Sequence, residues 1–221
     1  MRIDAITDDG QYHAWTEINV PQRPFEIENV DTVTVPLAQS GYTTEYLRYR
    51  ITINDRPNET NYYRIVIDKQ TTLWGYNHEE GGDDYIYWTK HSYNFIGRED
   101  VVLTDGQPTT GDDEDNGLFD TAKNIYGVFD DTRFRNTSYT MTVYNNTKIE
   151  TGSDSGYFSG MDVIIRLMSI TETEYYYLKA LNLVDSDAYD ETINEPIKYP
   201  SNVHGGTAVS YTHLTLPTIL R

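Results

Sequence analysis

The chain has 221 residues, 17 Lys and Arg against 35 Asp and Glu, a formal charge of −18 and no cysteine. That acidity excludes a nucleic-acid partner, because a phosphate backbone is gripped by clustered basic side chains. The missing thiols exclude disulfides, thiolate zinc sites and cysteine nucleophiles within these residues. The length suffices for one large all-β domain, or two smaller ones, around a hydrophobic core.

Near the start, Tyr12, Ala14, Thr16, Ile18 and Val20 alternate with His13, Trp15, Glu17 and Asn19, the period-two signature of a strand. The strand begins so early, with no partner upstream, that residues 1–21 read as the last strand of a truncated N-terminal β-domain. Pro21-Gln22-Arg23-Pro24 ends it, since neither proline can donate to a sheet ladder. A second extended run, Phe25 to Val35, is closed by Pro36. Leu47, Tyr49, Ile51 and Ile53 then share one face, with Tyr46, Arg48, Arg50 and Thr52 on the other. Asn54 to Glu59 is turn chemistry, and Tyr63, Ile65 and Ile67 resume the alternation. Residues 46–68 are therefore expected to form a β-hairpin or strand pair with a long loop.

Further along, Tyr85-Ile86-Tyr87-Trp88 and Val101-Val102-Leu103 are short strand candidates between acidic, glycine-containing loops. Tyr139, Met141 and Val143 alternate, as do Val163, Ile165 and Leu167. One helix is expected, at about residues 172–183. Thr171-Glu172-Thr173-Glu174 is a capping box, in which Thr171 accepts from a first-turn amide and Glu174 reaches back. Tyr175, Leu178 and Leu181 or Asn182 follow at helical spacing, and Val184-Asp185 stops the run. The class is mostly β: sandwich-like antiparallel sheets with one C-terminal α-helix. Residues 22–207 are expected to form the main β-rich domain, truncated at its C-terminus. Val209 to Thr218 is what the codons of a transposase-based sequencing adapter encode, so residues 208–221 are expected to be a non-native tail. The alternative is an ordinary Thr-rich closing strand.

Three stretches carry a family resemblance. Asp55-Arg56-Pro57-Asn58-Glu59-Thr60-Asn61-Tyr62-Tyr63 resembles the "D-x-P-x-E-x-N-Y-Y" turn of the Bacteroidota family known as domain of unknown function 4249. Ser169 with Tyr175-Tyr176-Tyr177-Leu178-Lys179-Ala180-Leu181 is similar to its Tyr-rich helix, and Asn194-Glu195-Pro196 with Ser201-Asn202-Val203-His204-Gly205-Gly206 to its "N-E-P … S-N-V-x-G-G" segment. Tyr12 to Pro21 also looks like the strand leading into this region. The resemblance implies a secretion signal, a lipid-attachment cysteine and a β-domain upstream, and a glycine-rich strand downstream. The chain is thus expected to be a fragment of an envelope lipoprotein of the outer membrane or cell surface, anchored only through a lipid outside these residues. It also implies a TonB-dependent outer-membrane receptor as partner.

Several groups are candidate sites. Asp112, Glu114 and Asn116 sit at the first, third and fifth positions of a calcium loop, with Gly117 at the sixth. Lys123 at the twelfth breaks the EF-hand template, leaving a different calcium site or a solvated acidic loop. His78, Glu79, Glu80, Asp83 and Asp84 offer one imidazole and carboxylates to a transition metal, or simply a loop. No cofactor is expected, since nucleotide-binding glycine loops, G-x-S-x-G and H-E-x-x-H are absent. Tyr85, Tyr87 and Trp88 offer flat amphipathic faces to a glycan or nutrient ligand, against the alternative that tyrosines merely suit strands. Thr32 and Thr121, each after Asp, resemble the O-glycosylation acceptor of exported Bacteroidota proteins. The expected function is non-enzymatic: an accessory or ligand-binding lipoprotein. The alternatives are a structural or adhesive surface protein, or a carboxylate-dependent hydrolase.

Overall fold

The computed structural model describes residues 1–24, 26–39, 42–77, 84–97, 99–106, 124–147, 157–185, 201–205 and 213–220, the last by backbone alone. Elements run in the order β1 (Arg2–Ile6), β2 (His13–Glu17), β3 (Asn29–Gln39), β4 (Tyr42–Asn54), β5 (Tyr62–Asn77), β6 (Asp84–Ser92), β7 (Val128–Asp130), β8 (Ser138–Asn146), β9 (Tyr157–Ile170), α1 (Glu172–Val184) and β10 (His213–Leu220). All the sheets are antiparallel. One has the order β3-β4-β8, and another β10-β9-β5-β6 with β7 also paired to β5.

These two sheets close on one core, as expected for a sandwich. Tyr49, Ile51 and Ile53 of β4 and Met141 and Val143 of β8 meet Tyr63, Ile65 and Ile67 of β5 and Val163, Ile165 and Leu167 of β9. The alternation makes this possible, since every second side chain of a strand points to the same side. Ile51, Ile65, Ile67 and Ile165 are fully buried; such burial stabilises by about 1.5–3 kcal/mol per side chain.

The connection between β4 and β5 corrects the expectation of a hairpin. The two strands lie in different sheets, and residues 55–61 arch from one layer to the other. A period-two pattern says which residues face the core, but the same pattern fits two strands paired edge to edge or stacked face to face. Buried carboxylates hold the arch. Asp55 accepts from Tyr63 Oη at 3.0 Å, Asn61 Nδ2 at 3.3 Å and the Asn136 amide at 2.8 Å. Asp131 accepts from the Asn61 amide at 2.8 Å, Asn61 Nδ2 at 3.2 Å and Arg135 at 3.1 Å. Burial, then the neighbouring Asp55 carboxylate, pushes the Tyr63 hydroxyl pKa upward.

Other expectations shift in detail. β3 begins at Asn29 and continues through Pro36, which sits opposite Glu45. β3 is the edge of its sheet, where a missing donor is tolerated. Val101-Val102-Leu103 is a turn, not a strand: Asp100 Oδ1 accepts from the Val102 and Leu103 amides at 3.0 and 3.4 Å, as a helix N-cap would. The early strand has an upstream partner that its alternation did not reveal, because β1 is exposed along its whole length. Ala5 pairs with Ala14 and Asp4 with Trp15. The resulting hairpin is tied to residues 202–204: Trp15 exchanges backbone bonds with His204, and Thr16 Oγ1 donates to the Asn202 carbonyl at 2.8 Å.

α1 falls where the periodicity placed it, and Thr171 Oγ1 accepts from the Glu174 amide at 3.1 Å. The reciprocal half of the capping box is not made. Glu174 is fully buried and both carboxylate oxygens lack a hydrogen-bond partner, so burial lifts its pKa to about 7, against a weaker opposing pull from Arg64. The helix packs on the outer side of the five-stranded sheet, where Tyr175 and Leu178 join Val128, Met168 and Ile170. Asn182 fixes its far end, accepting from the Tyr126 amide and donating to Asn124, both at 3.0 Å. β10 extends the same sheet beyond β9, with Leu216 opposite Leu167.

Candidate functional site

The outer face of the five-stranded sheet divides into three zones along its strands. Outward positions of β5 are Tyr62, Arg64, Val66, Asp68, Gln70, Thr72 and Trp74, the alternates of the core residues. α1 covers the first zone. The middle is polar: Asp68, only 2% exposed, accepts from Gln70 at 2.8 Å, His91 Nδ1 at 3.0 Å and Arg166 at 3.3 Å. Burial alone would raise the Asp68 pKa, but these hydrogen bonds and the attraction of His91 outweigh it and hold the carboxyl below its ordinary value.

The third zone is aromatic. Trp74 stacks on Tyr157 of β9, with ring centroids 4.7 Å apart and planes 27° off parallel, and meets Tyr85 of β6 at 5.4 Å. Tyr87 pairs directly opposite Trp74. Tyr85, Tyr87 and Tyr157 are 55%, 65% and 61% exposed. Three adjacent strands therefore present a row of rings about 10 Å wide, from neighbour spacings of about 4.8 Å. Between the rings and the polar zone, Thr72 pairs with Thr89 on one side and Gly160 on the other. Nothing lies within 4 Å of the place a Gly160 side chain would occupy, so the floor there is open.

The three aromatic candidates read from the sequence are thus split between faces. Tyr85 and Tyr87 join the row. Trp88 points to the other side, opposite Leu73, and rests on Gly75, where an added Cβ would come within 3.2 Å of its ring. Trp74 and Tyr157 were missed. The signal for Trp74 was present: carrying the β5 alternation six residues past Asp68 places it outward. Tyr157 joins only through the pairing of β5 with β9. Thr32 is exposed on β3. Asp112, Glu114, Asn116 and Thr121 lie outside the described residues, as do His78, Glu79, Glu80 and Asp83.

A second feature is an open cleft of about 530 Å³ where the N-terminal hairpin meets the sandwich. The stretches that carry the resemblance converge on it: Ile18 after β2, Glu59 and Tyr62 from the arch, Ser169 and Thr171 before α1, and Asn202. Its polar groups largely satisfy one another. Tyr62 Oη donates to Glu172 at 3.0 Å, and Arg56 reaches Gln22 at 2.6 Å and Glu59 at 3.7 Å. These residues join the hairpin, arch and helix start. No curated protein is detectably similar in sequence. The family model described as domain of unknown function (DUF4249) matches residues 1–208, and the chain belongs to that family.

Proposed function

We propose that this chain is a non-enzymatic binding protein of the cell envelope, part of an outer-membrane or surface lipoprotein that works as an accessory to a TonB-dependent receptor. The observation that carries the reading is the ring row of the exposed Tyr85, Tyr87 and Tyr157 around the half-buried Trp74, borne on paired strands rather than on a free loop. Rigid aromatic side chains supply large contact area at low entropic cost, which is why they dominate recognition surfaces. The buried carboxylates support binding over chemistry. Asp55 and Asp131, which share Asn61, are saturated by structural donors, as is Asp100 by the Val102, Leu103 and Thr142 amides and Tyr139.

Affinity capture of the tagged full-length protein from native-host membranes tests this. A TonB-dependent receptor should co-purify, and Tyr87→Ala with Tyr157→Ala should weaken that capture or, if the row holds the nutrient instead, lower ligand uptake. Normal capture and uptake in that double variant, or no receptor at all, would count against the reading.

A further inference from the structure

Resting on the reading that the ring row is a contact surface, we infer that its ligand is an uncharged carbohydrate chain. The chain lies along the outer face, from the rings across the Thr72–Thr89–Gly160 floor toward Arg166 and His91. The chemistry separates by side of the sheet. Among the described residues, every strongly exposed large apolar side chain on the outer side of this end is a tyrosine. The aliphatic Ile86 and the unsubstituted ring of Phe158, 45% and 48% exposed, lie on the opposite side. A protein partner seeking apolar burial would find its better surface there. A sugar ring instead offers one flat C–H face and a rim of hydroxyls. The aromatic faces suit the first, and phenol hydroxyls, Thr72, Thr89 and the planar donors of Arg166 and His91 suit the second.

Spacing and charge agree. Trp74 to Asp68 is six residues of strand, about 20 Å at about 3.3 Å each, so the track is longer than one sugar and fits a chain. Gly160 leaves its middle unobstructed. The buried charge beside it, Asp68, is offset by Arg166 and hydrogen-bonded to His91, while the chain as a whole carries −18. An anionic polymer would be repelled over distance, whereas a neutral one is indifferent to that field.

The test is affinity electrophoresis of the full chain through native gels containing starch, barley β-glucan, xylan or mannan. At least one polysaccharide should retard the wild type. Tyr157→Ala and Tyr87→Ala, both at exposed rings, should each weaken retardation roughly tenfold, the worth of about one stacking contact. Ile86→Ser, on the opposite side, should migrate as wild type. Thermal melts of each variant confirm folding. Free migration of the wild type in all four gels overturns the inference, as does equal loss in Ile86→Ser. If the wild type ignores all four while Tyr157→Ala lowers receptor capture, the carbohydrate assignment fails and the contact-surface reading stands. If neither changes, both fail.

Discussion

Replacing Glu174 by Gln should make the protein more stable in mild alkali. Glu174 sits in the first turn of α1 with no exposed surface and no hydrogen bond to either oxygen, and its pKa rises from an ordinary 4.5 to about 7. Below about pH 4.5 the carboxyl is protonated in both folded and unfolded chains and contributes no linkage term. Between about 4.5 and 7 the unfolded chain releases its proton while the folded one retains it, so stability falls as pH rises. Above about 7 the loss is complete. A difference of about 2.5 units at about 1.4 kcal/mol each gives roughly 3.5 kcal/mol. The Glu174→Gln side chain keeps the shape without the charge, and any pull of the helix start on the carboxylate is already contained in its folded-state pKa. The variant should therefore match the wild type near pH 4 and gain roughly 3.5 kcal/mol at pH 8.5, so the wild-type-minus-variant difference should change by about that much between the two. For a chain of this size that corresponds to roughly 7–14 °C in melting temperature. Urea unfolding of both proteins across that range measures it. Parallel stability–pH curves would refute the reasoning, showing that the Glu174 carboxylate finds a partner or water when ionised.

Asn61→Ala should cost about 2–3 kcal/mol in urea unfolding, because it strips donors from Asp55 and Asp131 inside the arch; a loss under 0.5 kcal/mol would show that the clamp is incidental. Asp68→Asn should destabilise the protein by about 1–2 kcal/mol at neutral pH. That loss should fade as pH falls through the Asp68 pKa, since a depressed carboxyl contributes stability above its unfolded pKa and forfeits it on protonation; an undiminished gap at acid pH would contradict the ion-pair account. Gly127→Ala should prevent stable folding or cost more than about 3 kcal/mol. Gly127 has φ +64° and an added Cβ would lie 2.2 Å from the Ile65 carbonyl oxygen. Near-wild-type melting of that variant would show that β5 yields there.

Much of this architecture was legible because it depends on local periodicity. The alternation of Tyr49-Ile51-Ile53, Tyr63-Ile65-Ile67 and Val163-Ile165-Leu167 identifies strands and their buried sides, and Thr171 before Tyr175 and Leu178 identifies the helix. The sequence alone also set the acidity, the absence of thiols and the family resemblance, since these are properties of residues and not of their arrangement. What it left open was partnership. Whether β4 pairs with β5 or faces it, whether Arg2–Ile6 is a strand, and whether Glu174 completes its capping box turn on contacts between distant residues. Backbone hydrogen bonding is generic, so any alternating segment, β10 included, can satisfy a free sheet edge. The candidate site shows the same division. Tyr85 and Tyr87 announced themselves as a cluster in the chain. Their union with Trp74 and Tyr157, and the removal of Trp88 to the far side, came from the register of β5 between β6 and β9. A one-residue slip in that register would turn every ring to the opposite face, and only the tertiary structure decides it.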